Sequence, residues 1–160
     1  MTFNLIPGDG AISGAQGSTI GWGYEIINND AANWLNCVDL AAEPFAEATP
    51  NSLFDFPIVA PLTTVTVQYD GTIGLYEMTW DNNATVGFIN SGTFTLSADW
   101  YDGDPYNGGQ YLGPADDQTA DYSATVTAAS EVPVPEPASI LLMASGLIGC
   151  ALLRKALDKF

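Results

Sequence analysis

Thr93-Phe-Thr-Leu-Ser-Ala-Asp-Trp100 decides the fold class. Phe94, Leu96, Ala98 and Trp100 alternate with Thr93, Thr95, Ser97 and Asp99, the period of two that turns one face of a strand inward and leaves the other wet. Three more runs share it. Ile20, Trp22, Tyr24 and Ile26 alternate with Gly21, Gly23 and Glu25 up to the turn residues Asn28-Asn29-Asp30. Val65, Val67 and Tyr69 alternate with Thr64, Thr66 and Gln68 before Asp70-Gly71. Tyr122, Ala124, Val126 and Ala128 alternate with Asp121, Ser123, Thr125 and Thr127. Four such runs punctuated by Gly, Asn, Asp and Pro predict an all-β domain.

Shorter segments fill the gaps: Thr2 to Ile6, Trp34 to Leu40, Thr72 to Trp80 and Thr85 to Ile89. In Thr72 to Trp80 the apolar phase slips between Leu75 and Tyr76, which reads as a bulge or a two-faced strand. Ala41 to Ala48 has the composition for one helical turn, limited by Pro44. Seven to nine short strands in this length suit a two-sheet sandwich with one solvated face per sheet. The expected organisation is one β-domain over residues 1–130, a Pro-rich linker over 131–137 and a C-terminal transmembrane helix over 138–160.

The charge distribution is one-sided. The chain has 19 carboxylates and three cations, and the cations, Arg154, Lys155 and Lys159, all follow residue 153. Only Asp158 among the acids lies with them, so residues 1–153 carry 18 acids, no Lys, Arg or His, and a net charge of −18. That field repels phosphate backbones and anionic membrane surfaces, which excludes nucleic acid as a partner. The acids are scattered among aromatic and β-branched residues rather than gathered in a disordered acidic tract.

Ala138 to Leu153 holds 16 residues with no ionisable side chain. As a helix it would span roughly 24 Å, short of the roughly 30 Å hydrocarbon core of an average bilayer. Snorkelling by Arg154 and Lys155 and local thinning extend its reach, so residues 138–153 are expected to enter the membrane. Basic residues after the run place that end in the cytoplasm and the β-domain outside. Pro133, Pro135 and Pro137 form a stiff extended spacer that continues neither helix nor strand.

Val134-Pro135-Glu136-Pro137-Ala138-Ser139, the short apolar run and the basic end resemble the PEP-CTERM sorting signal of Gram-negative bacteria. The resemblance implies recognition near Pro135, Glu136 and Pro137 by an exosortase, a membrane-embedded transpeptidase-like enzyme. Arg154 and Lys155 match the basic stop. It further implies export, a transient anchor in the inner membrane, delivery to the cell surface or extracellular matrix, and an association with exopolysaccharide or biofilm. Family members begin with a secretory signal peptide. Met1-Thr-Phe-Asn-Leu-Ile-Pro has no basic n-region or long apolar stretch, so a leader is expected to precede this chain. Ser18 to Asn29, Ser91 to Pro105 and Tyr122 to Thr127 are similar to the exported immunoglobulin-type domains that precede such tails.

Without histidine, Ser-His-Asp and Cys-His catalysis are impossible, and no enzyme is expected. A carboxylate pair acting on a glycoside would still be chemically possible. Two ligand sites are candidates. Asp99, Asp102, Asp104 and Asn107 in Asp99-Trp-Tyr-Asp-Gly-Asp-Pro-Tyr-Asn107-Gly-Gly supply the oxygens calcium takes, although the spacing fails the EF-hand pattern, and the same residues build turns for backbone reasons. Tyr101, Tyr106 and Tyr111 fall outside the core phase and are candidates for stacking on sugar. The readings are thus a non-enzymatic surface or matrix protein without a cofactor, or a displayed carbohydrate- or calcium-binding module. Cys37 reads as a small buried apolar residue, with an intermolecular disulfide as the alternative. Cys150 lies within the membrane run.

Overall fold

Alternation commits Trp22, Tyr24 and Ile26 to one face of a strand and Phe94, Leu96 and Ala98 to one face of another, and burial of both faces against each other creates the core. A computed structural model describes residues 1–129, which form one unit, Met1–Ala129. Its strands in chain order are β1 (Thr2–Ile6), β2 (Ala11–Ala15), β3 (Thr19–Ile27), β4 (Trp34–Ala42), β5 (Ala48–Ser52), β6 (Ile58–Val59), β7 (Thr64–Val67), β8 (Tyr76–Trp80), β9 (Ile89–Tyr101), β10 (Tyr111–Pro114) and β11 (Gln118–Thr127).

They pack as a two-sheet, sandwich-like fold. One sheet has the order β1-β3-β8-β5, with β7 also on β3; the other runs β2-β11-β9-β4-β6, with β10 also on β9. All pairings are antiparallel except β2 with β11. β1 and β2 are consecutive but serve different sheets, so the N-terminal segment clasps both layers.

Trp22 joins the layers. Its ring meets Phe94 at 5.4 Å and Tyr122 at 5.2 Å, both edge-on, and its indole N–H donates to the Gly10 carbonyl at 2.8 Å. Phe45 closes the same cluster from the β4–β5 loop, stacked on Tyr122 at 5.0 Å and on Tyr76 at 5.7 Å. Asn90, buried, holds that loop by accepting from the Ala46 N–H and donating to the Ala46 carbonyl.

The alternate glycines of β3 have a packing cause. The segment between β7 and β8 crosses over them, and a Cβ at Gly23 would lie 2.3 Å from the Val67 carbonyl oxygen. At Gly21 it would lie 2.5 Å from the Tyr69 ring, whose hydroxyl donates to Glu77. Asn28 is the buried polar hub where β3 ends. Its amide nitrogen donates to the carbonyls of Asn33 and Val59, and its oxygen accepts from Asp30 N–H.

Several expectations need correction. Eleven strands form among the described residues, against seven to nine expected, because short segments such as Ile58–Val59 pair without a legible period. Thr85 to Ile89 is not a strand: the Phe88 N–H folds back onto the Thr85 carbonyl at 2.9 Å, and β9 begins only at Ile89. The strand expected from Thr72 begins at Tyr76, because the Asp70 carboxylate captures the N–H groups of Thr72 and Ile73 in a turn. No helical turn forms over 41–48; β4 runs on to Ala42, and Phe45 is drawn into the aromatic cluster. The expected membrane span, 138–160, and the linker, 131–137, lie outside the described residues. Among the described residues no helix is long and apolar enough to cross a membrane.

With no cation before Arg154, the described residues hold no side-chain ion pair, and their carboxylates only repel one another. Added salt should therefore stabilise the protein, since screening shortens from about 10 Å at 0.1 M to about 3 Å at 1 M. Scanning calorimetry in rising sodium chloride is expected to show a rising Tm. A constant or falling Tm would refute this account.

Candidate functional site

β9 outlasts β11, and its last three residues carry the candidate loop. Asp99, Trp100 and Tyr101 pair with Asn36, Leu35 and Trp34 of β4 on one side and with Pro114, Gly113 and Tyr111 of β10 on the other. The neck of the hairpin is closed by Asp102 and Gln110. The Asp102 N–H donates to the Gln110 carbonyl at 3.1 Å, and the Gln110 N–H donates to the Asp102 carboxylate at 2.6 Å. Gly103 and Gly109 then pack so closely that a Cβ on Gly109 would lie 2.2 Å from the Gly103 oxygen.

The tip is one 3₁₀ turn, Pro105–Asn107, started by Pro at its first position and by Asp104 as its cap. One oxygen of Asp104 accepts from the Tyr106 N–H at 2.9 Å and the other from the Asn107 side-chain amide at 2.6 Å. The Asp104 carbonyl accepts from Asn107 and Gly109, and Gly108, left-handed at φ 96°, ends the turn.

This geometry sorts the expected calcium ligands. Asp104 and Asn107 meet, but on each other; Asp102 faces Gln110; Asp99 stays in the ladder of β9. Among the described residues no three or more acidic, His or Cys side chains gather so as to hold a metal. The carboxylates do the turn-closing that Asp commonly does for its own backbone. Gln110, the reciprocal partner of Asp102, carried no signal in the sequence, because its role depends on the hairpin register.

The tyrosines fare differently. Tyr101 and Tyr111 are cross-strand partners with ring centroids 5.7 Å apart, edge to face. Tyr106, at the tip, is 86% exposed and Tyr111 56%. The structure thus brings two of the three together and sets the third on the same hairpin. Elsewhere, Phe3, Leu5, Asp9, Thr119 and Asp121 line a crevice of about 240 Å³ beside β1 and β11. It is smaller than the roughly 300–1,000 Å³ of ordinary ligand pockets.

Cys37 is buried, as its apolar reading expects. Burial, then the nearby Asp55 carboxylate, pushes its thiol up to about 12. Burial and Glu43 raise Tyr122 to about 12, and burial with the hydrogen bond to Asp55 raises Tyr24 further. Each group stays neutral in the folded state above the pH at which it ionises when unfolded. Stability is therefore full below the ordinary thiol value of 9.0 and falls as pH rises towards 12. Urea unfolding from pH 7 to 11 is expected to show a falling midpoint that starts near pH 9 and is delayed in Cys37→Ala.

The C-terminal signal was legible from its order of parts. Residues 133–156 match the family model of the PEP-CTERM protein-sorting motif. The chain carries a PEP-CTERM sorting motif. It spans Pro135, Glu136 and Pro137 together with Arg154 and Lys155, all outside the described residues. No curated protein and no solved structure matches the chain. The PEP-CTERM motif supports export, sorting through an exosortase and a place at the cell surface or beyond it.

Proposed function

We propose that this is a non-enzymatic protein of the bacterial cell surface or extracellular matrix, presented by a PEP-CTERM tail that anchors it in the inner membrane until an exosortase cuts near Pro135-Glu136-Pro137. The observation that carries the reading is the match of residues 133–156 behind a β-sandwich. The strand orders β1-β3-β8-β5 and β11-β9-β4 favour an immunoglobulin-like variety, with the first strand divided between the sheets. A chain without histidine, whose described residues include a small crevice bearing Asp9 and Asp121, favours display over catalysis. A calcium-free hairpin tip fits the hydrogen bonds that Asp102 and Asp104 already make. Association with exopolysaccharide in a biofilm is the proposed setting.

Mass spectrometry of the native surface material tests the sorting. A C-terminus near residue 137 is expected; an intact chain ending at Phe160 in surface material would overturn it.

One observation favours a second reading as a carbohydrate-binding module: the exposed Tyr106 and Tyr111, with half-buried Tyr101 against Tyr111, on a single hairpin. A glycan array distinguishes the two. Binding that disappears in Tyr106→Ala and Tyr111→Ala supports the module, and no binding supports the structural role.

A further inference from the structure

We infer that Asn107-Gly108 is a self-modifying site, at which the chain converts Asn107 to aspartate and isoaspartate without an enzyme. The reaction needs a backbone nitrogen able to reach the side-chain amide carbon of the preceding residue, and three observations place it here.

Asn107 is exposed at the hairpin tip. Its follower is glycine, so no Cβ shields the attacking nitrogen. The neighbourhood is open: a Cβ built at Gly108 would meet no atom within 4 Å. Asn107 closes the turn at the end of the hairpin tip, next to the left-handed Gly108.

The other asparagines lack this combination. Asn28 and Asn90 are buried, with both ends of their amides bonded. Asn51, Asn82 and Asn83 precede Ser, Asn and Ala, whose side chains crowd the approach.

The step balances with water alone. The Gly108 nitrogen gives up its proton and bonds to the Asn107 amide carbon, and the Cγ–Nδ2 bond breaks with loss of ammonia, leaving a five-membered imide. Water then opens either carbonyl of the ring. One opening restores the backbone as aspartate and the other routes it through the side chain as isoaspartate.

Either product exchanges the amide that donates to Asp104 for a second carboxylate. The 2.6 Å hydrogen bond becomes a repulsion in a region with no cation to relieve it. The cap of the 3₁₀ turn is weakened, and Tyr106 is released with it. An exported protein, once beyond resynthesis, would carry an age mark on its most exposed tyrosine.

The test uses the full chain purified in detergent, incubated at neutral and mildly alkaline pH and mapped by peptide mass spectrometry with enzymatic isoaspartate labelling. Residue 107 is expected to gain the mass of an amide-to-acid exchange before any other asparagine, faster at the higher pH. Gly108→Ala is expected to slow it about tenfold, equivalent to a barrier rise of about 1.4 kcal/mol. Asp104→Ala, which frees the Asn107 amide, is expected to speed it. An unchanged Asn107 would overturn the proposal, as would earlier conversion of Asn51, Asn82 or Asn83.

Discussion

Trp22→Ala is expected to cost about 3–5 kcal/mol, the range for truncating a buried aromatic. Trp22 is fully buried and forms the bridge between β3 and the facing strands β9 and β11. Removing it opens a cavity between Phe94, Tyr122 and Phe45, three rings fixed by other neighbours that cannot collapse into the space. The lost hydrogen bond is the smaller part of the cost, because the Gly10 carbonyl still accepts from the Ser123 N–H. Against a typical domain stability of about 5–15 kcal/mol, the loss leaves a marginal or unfolded protein. Urea unfolding measures it, and a loss under about 1 kcal/mol, the size of an average substitution, would refute the bridging role.

Phenylalanine separates packing from hydrogen bonding. Trp22→Phe gives up a made bond, whereas Trp80 is buried with an indole N–H that has no acceptor among the described residues. Trp80→Phe removes that orphan donor, whose burial costs about 1–3 kcal/mol. It is therefore expected to destabilise less than Trp22→Phe.

The second large effect concerns sorting. Glu136→Ala or Pro137→Ala is expected to leave the protein uncut in the membrane fraction, with little or none at the surface. Proline at 133, 135 and 137 lacks the N–H that a helix or strand ladder uses, which favours a substrate that an endopeptidase need not unwind. Glu136 is the one charged side chain over residues 132–153. The control is Glu131→Ala, which removes an acid just ahead of the matched residues 133–156 and should leave processing unchanged. Immunoblots of membrane and surface fractions read the outcome. Wild-type processing of both motif variants would show that the cut does not depend on these residues.

Alternation made β3, β9 and β11 legible, and β1 with them, because every second residue of each turns to the core; in β3 the residues between are largely the glycines that the crossing segment covers. β2, β5, β6 and β10 escaped for particular reasons. Ala11-Ile-Ser-Gly-Ala15 is held by parallel pairing with β11 rather than by an apolar face. Ala48-Thr-Pro-Asn-Ser52 contains a proline that argues against a strand and is tolerated at the edge of its sheet. Ile58–Val59 is too short to show a period, and β10 exists only where β9 runs on past β11. Of the candidate site, the exposed tyrosines were legible from phase. The use of Asp102 and Asp104 was not, since oxygen-rich composition is shared by cation loops and self-closing turns.

The amino-acid sequence by itself determined the β class, the single sign of charge before residue 154 and the C-terminal address. These are properties of order along the chain: a period of two, a count of acids and bases, and a succession of proline spacer, apolar run and basic stop. Only the tertiary structure decided which sheet each strand joins, that Phe45 closes the aromatic cluster, and that the acidic hairpin satisfies itself. These rest on partners far apart in the chain, such as Tyr122 with the carbonyl of Glu43, 79 residues away, or on a register that pairing alone sets. Local pattern states which face a residue prefers. The competition among strands for hydrogen-bond partners states what that face meets.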